Sequence, residues 1–179
     1  IPSGPHGLEI VSDTLYFCDG AYLKAYDINT AAQIFNINIG ATFLNGITHD
    51  AAGFLYITDF SAMKIFRFNT ADRTFNLFVS STGTASPNGI IFDPDNNRCV
   101  FVNWGNAAPI KAVDLTTAAV STVTSTTLGN CDGIARDNAG NYYVSSWSGG
   151  GKITRFNNTF SSSTAVVTTG LSSPADIFY

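Results

Sequence analysis

The sequence predicts an all-β protein, a β-propeller of four-stranded blades, on three observations. A four-residue phrase recurs at blade spacing, each recurrence leads into strand signals in the same order, and no stretch shows a convincing 3.6-residue period. The phrase reads Pro-His-Gly-Leu at 5–8, Leu-Asn-Gly-Ile at 44–47, Pro-Asn-Gly-Ile at 87–90 and Cys-Asp-Gly-Ile at 131–134. Its glycines, Gly7, Gly46, Gly89 and Gly133, are 39, 43 and 44 residues apart. A period of about 40–45 residues is that of propeller blades. A degenerate fifth copy, Pro-Ala-Asp-Ile at 174–177, sets Asp176 another 43 residues on.

Inside the second repeat, residues 46–49 lead through the turn Asp-Ala-Ala-Gly at 50–53 into the apolar run 54–58. Residues 64–68 alternate at period two, as a half-buried strand does. Thr70 to Arg73 form a turn, and 75–79 close the blade. The fourth repeat follows the same grammar: a turn at 137–140, then strands at 142–145, 152–156 and 165–167. Asp, Asn and Gly serve in these turns because they tolerate left-handed backbone. The expected blades are about 5–42, 43–85, 86–130 and 131–173, with the opening strand of another at 174. Four blades leave two apolar faces and two sheet edges open. The run is therefore expected to be an incomplete part of a larger ring, or to self-associate through those open edges.

Composition narrows the function. The 179 residues suit one domain with a substantial core. Charged residues are only 12%, and the net charge of −4 lacks the basic footprint that nucleic acid requires. Apolar runs are short and broken by Asp, Asn and Gly, so nothing reads as a membrane span. Cys18, Cys99 and Cys131 are scattered and odd in number, which reads as isolated buried thiols. The Ser-, Thr- and Asn-rich surface leans toward a periplasmic or secreted setting, and Asn157-Asn158-Thr159 is a glycosylation sequon.

The residue before each repeat glycine carries the chemistry: His6, Asn45, Asn88 and Asp132, with Ala175 in the degenerate copy. Equivalent positions on the innermost strands of a propeller form a ring. Amide and carboxylate oxygens there suit calcium, or another hard divalent cation. The competing reading is purely structural, because Asn-Gly and Asp-Gly are common turn dipeptides that a repeat inherits with its fold.

Asn88 in Ser-Pro-Asn-Gly-Ile, followed by Phe-Asp-Pro-Asp at 92–95, resembles the calcium-ligand segment of the gluconolactonase-like (senescence marker protein) family. Asp132, followed by Asp-Asn-Ala-Gly at 137–140, resembles that family's ligand and catalytic Asp one blade on. Asn45, followed by 50–53, falls where the preceding blade supplies its Asn ligand. The family is a six-bladed propeller, and the resemblance implies calcium held by Asn45, Asn88 and Asp132. The family's fourth ligand is a Glu from its first blade. The resemblance puts His6 on the second, so that Glu lies outside this sequence. Pro5-His6-Gly7 is similar to a paraoxonase segment whose His is proposed as a general base. Two departures accompany the likeness: Cys18-Asp19-Gly20 stands where paraoxonases carry a partner His, and Phe43 where gluconolactonases carry a substrate-binding Arg.

Two functions are thus expected in competition. One is a calcium-dependent hydrolase of lactones or related esters, acting on a small-molecule substrate, with Asp132 and His6 catalytic. The other is a non-enzymatic, NHL-like propeller that holds a ligand or protein partner. Trp104 and Trp147 follow the second strands of their blades in Gly-rich loops and are candidates for a substrate wall or for cover between blades. His49, beside Asp50, reads as a solvated or turn-capping residue.

Overall fold

A computed structural model describes residues 4–179. The chain divides into two compact units, Ile1–Ser86 and Pro87–Tyr179. The first holds two sheets: β1 (Leu8–Val11), β2 (Thr14–Asp19), β3 (Tyr22–Asp27) and β4 (Gln33–Asn38), then β5 (Leu44–His49), β6 (Phe54–Asp59), β7 (Lys64–Asn69) and β8 (Phe75–Val79). In the second, β9 (Ser86–Asp93), β10 (Arg98–Trp104), β11 (Ile110–Asp114) and β12 (Val120–Thr124) precede β13 (Cys131–Arg136), β14 (Tyr142–Ser146), β15 (Lys152–Phe156) and β16 (Ser163–Val167). Each sheet pairs its strands in chain order as an antiparallel meander, the topology of a propeller blade.

Alternation builds the core between the two sheets of each unit. Tyr16, Cys18, Leu23 and Ala25 on the first sheet meet Ile47, Leu55, Ile57 and Phe68 on the second. The same repeat positions meet in the second unit, where Val100, Val102, Ile110 and Ala112 face Ile134, Tyr142, Val144 and Phe156. The three cysteines are free and buried. Burial pushes the Cys131 thiol up to about 12, with the Asp132 charge adding to it.

Gly7, Gly89 and Gly133 are required by the close approach of the backbone beside them. A Cβ on Gly89 would lie 2.5 Å from the Asp132 carbonyl oxygen and 3.0 Å from the Gly133 Cα. One on Gly7 would collide with the Asn45 carbonyl oxygen, to which the Gly7 N–H donates at 2.8 Å. Gly133 meets Ala175 and Asp176 in the same way, with the Asp176 Cα at 2.7 Å from its would-be Cβ. Residues 168–179 belong to no strand. Their Pro-Ala-Asp-Ile portion nonetheless lies beside β13 as the Cys-Asp-Gly-Ile of β13 lies beside β9.

A bulge interrupts β5 and β13 at the repeated phrase. Between the pairs Leu44–Asp59 and Ile47–Ile57, two residues oppose one, and likewise between Cys131–Ser146 and Ile134–Val144. The extra glycine N–H is recovered by a hydroxyl across the ladder: Gly46 donates to Thr58 Oγ1 at 2.8 Å, and Gly133 to Ser145 Oγ at 2.7 Å. At the far end of these strands Asp50 Oδ1 accepts the Ala52 and Phe54 N–H groups, and Asp137 Oδ1 those of Ala139 and Asn141.

Asp93, at the matching position of β9, does something else. Its turn is the 3₁₀ stretch Pro94–Asn96, which takes no side-chain cap from it. The fully buried carboxylate instead accepts from Arg98 Nε at 2.8 Å and Asn96 Nδ2 at 2.9 Å, with Arg136 of the next sheet 3.7 Å away. Arg136 also pairs with Asp95. Proline at the first turn position, with its fixed φ, accompanies this different turn.

Candidate functional site

The bulges decide where the candidate side chains sit. In a regular strand Asn45 and Asp132 would alternate with their neighbours. Here the two-for-one register breaks that alternation where β5 and β13 pair with the ends of β6 and β14. Asn88 lies on β9 beside Asp132, because Gly89 and Gly133 let the two backbones close together.

In the second unit Asn88 is 2% exposed, and its Nδ2 donates to the Cys131 carbonyl oxygen at 3.4 Å. Its amide also supports the Asp132 carboxyl, as does the Trp147 indole. Burial, and then the Asp176 charge, outweigh those hydrogen bonds and push Asp132 up to about 6. Burial of its carboxyl raises Asp176 as well, although the residue as a whole is exposed. Two carboxyls and an amide therefore share a small space where negative charge is costly. Turning Asn88 about its last torsion presents Oδ1 in place of Nδ2, giving a set of hard oxygen donors.

Trp104 and Trp147 meet edge to face, their ring centroids 4.9 Å apart at 80°. The Trp147 indole N–H donates to the Pro174 carbonyl oxygen at 3.0 Å, which fixes the ring. Gly149, Gly150 and Gly151 follow, all left-handed with φ of 75°, 87° and 83°, and Gly151 N–H returns to the Trp147 carbonyl.

In the first unit His6 and Asn45 lie on adjacent chain segments. The His6 N–H donates to the Cys18 carbonyl oxygen at 2.9 Å, and its ring meets Phe43 edge to face at 4.7 Å. His6 Nε2 is buried, with no hydrogen-bond partner among the described residues. Phe43 in turn meets Phe60 at 5.9 Å, and Asp59, fully buried, holds the Phe43 and Thr42 N–H groups. His49 pairs through Nδ1 with Glu9 of the neighbouring sheet at 2.5 Å instead of capping its turn.

Among the described residues no three His, Cys, Asp or Glu side chains gather as a metal cluster. The sequence reading missed Asp176 and the tie from Trp147 to Asp132. Asp176 aligns with the repeat glycine and not with the ligand position, which Ala175 occupies, so no positional signal marked it.

The fold has solved counterparts. A chain of a nidogen/laminin complex superposes with a TM-score of 0.84 at 16% identity, covering 98% of this chain and 68% of that one. A Bacteroides thetaiotaomicron protein of unknown function gives 0.80 at 13%, covering 99% and 54%. Kuenenia stuttgartiensis hydrazine synthase gives 0.74 at 12%, covering 93% and 50%. The present chain thus spans about half the length of the last two. No curated protein matches the sequence. Asn88, Asp132, Asp176 and both tryptophans all fall within residues 76–178, which match the family model for the SMP-30/gluconolactonase/LRE-like region; that is more than half of the chain, and the chain belongs to this family.

Proposed function

We propose that the chain is a calcium-dependent hydrolase of lactones or related esters. The observation that carries the reading is the pairing of Asn88 with Asp132, whose carboxyl is crowded by Asp176 and supported by Trp147. Asn88 and Asp132 would hold the cation, and Asn45 occupies the equivalent repeat position of its own unit. Bound there, calcium would polarise the substrate carbonyl and stabilise the charge that develops on its oxygen.

The chain's own groups move the protons. Asp132 or His6 takes a proton from water as the water oxygen adds to the carbonyl carbon. The carbon–oxygen bond of the ester then breaks, and the departing alkoxide takes the proton back, leaving a hydroxy acid. Among the described residues nothing hydrogen-bonds the buried Nε2 of His6, which suits it to accept a proton. Trp104 and Trp147 form a wall beside Asp132.

A second reading, a non-enzymatic NHL-like binding propeller, draws on the fold match to a chain from a nidogen/laminin complex. Calorimetry with Ca²⁺ and a lactone assay with and without chelator separate the two. Asp132→Asn should weaken calcium binding and nearly abolish turnover. His6→Gln should lower turnover by about 100-fold or more while calcium still binds. Hydrolysis indifferent to chelator and to Asp132→Asn, or no calcium binding, leaves the binding propeller.

A further inference from the structure

Three sheets place an aromatic ring at the same repeat position, at the end of the second strand: Phe60, Trp104 and Trp147. Each ring is set edge to face against another, Phe60 on Phe43 and Trp104 on Trp147. The loops that carry them, 60–63, 104–109 and 147–151, contain no charged residue. Core packing does not explain Trp147 in full, because it remains 36% exposed while its N–H is already bound to Pro174. A fixed indole with an open surface next to Asp132 offers a neighbouring molecule apolar area and few hydrogen bonds.

From this we infer that the substrate is a neutral ester or lactone bearing a flat apolar group, seated on the Trp104–Trp147 pair, and not a polyhydroxylated sugar lactone. A sugar acid needs several convergent donors and acceptors, since each hydroxyl taken from water must be re-bonded. The indole pair supplies an apolar face instead. This inference rests on the proposed hydrolase reading for its chemistry but not for its binding measurement.

Both tryptophans of the chain are in the pair, so intrinsic fluorescence reads it directly. The full chain is titrated with γ-phenylbutyrolactam, a non-hydrolysable neutral mimic, and with gluconolactam. Turnover of γ-phenylbutyrolactone and glucono-δ-lactone is followed in parallel. Saturable quenching by the phenyl lactam alone is expected, with at least tenfold higher kcat/KM for the phenyl lactone. Trp147→Ala should remove about tenfold of that preference through KM, and Trp147→Phe should restore most of it. Quenching without turnover of either lactone sinks the hydrolase and leaves the apolar site standing. Turnover that favours gluconolactone, or no quenching by the phenyl lactam, overturns this inference, whatever becomes of the hydrolase.

Discussion

Gly89 shows how one residue serves fold and site together. Its missing Cβ leaves room for the Asp132 carbonyl at 2.5 Å and the Gly133 Cα at 3.0 Å, both backbone atoms that cannot swing aside. The same closeness sets Asn88 beside Asp132. Gly89→Ala must push β9 and β13 apart, and overpacking of this kind costs about 1–3 kcal/mol. Urea unfolding followed by circular dichroism should show that loss, and calcium binding, where present, should weaken with it. An alanine variant of wild-type stability would show that the two strands can part freely. The sequence displayed these glycines as a period but gave no hint of their purpose. A turn glycine and a close-approach glycine look alike until the neighbouring strand is in place.

Among the elements, the strand ends distinguish the blades. Turns at 50–53 and 137–140 were legible from the Asp-x-x-Gly pattern; that each aspartate caps its turn came only with the structure. Asp93 holds the matching position on β9, where Pro94 alters the turn and the carboxylate goes to Arg98 and Arg136 instead. Long-range ion pairs leave no local pattern, so this one could not be read. Burial works against the charged form of Asp93. Hydrogen bonds from Tyr142, Arg98 and Asn96 outweigh it, and the carboxyl titrates below the ordinary carboxylate range. The sign follows: with the folded pKa depressed, the stabilisation is complete above the unfolded value of about 3.9 and is lost as pH falls through the folded one. Asp93→Asn strips one partner from a buried pair and should cost about 3 kcal/mol at neutral pH. It should also flatten the decline of stability below about pH 4, measured by thermal melts across an acid series. An unchanged acid limb would assign that decline to other carboxyls.

At the level of the whole molecule, the repeat positions predict behaviour in concentrated solution. Ile47 and Phe68 are buried between sheets, whereas at the equivalent positions of the first sheet Tyr26 is half-buried and Leu8, like Ile10, is 55% exposed. An apolar face of this kind favours association. Sedimentation should show mass rising with concentration, and Leu8→Asp with Ile10→Asp should reduce it without loss of fold. A strictly monodisperse wild-type chain would contradict the expectation. The meander itself was fully legible, since alternation and turn residues are local. Which candidate side chains meet was legible only as far as the repeat carried it, to Asn88 and Asp132. Asp176 and the indole tie depend on a segment outside every strand.

The Trp104–Trp147 contact has a practical corollary. Two indoles held edge to face at 4.9 Å are close enough for their electronic transitions to mix, and no other indole exists in the chain to dilute the signal. The near-ultraviolet dichroism should therefore carry a split band whose sign reports the angle between the rings. A shift of that band on adding a ligand would be a spectroscopic signature from the candidate site itself, obtained without a dye, a tag or an assay of turnover.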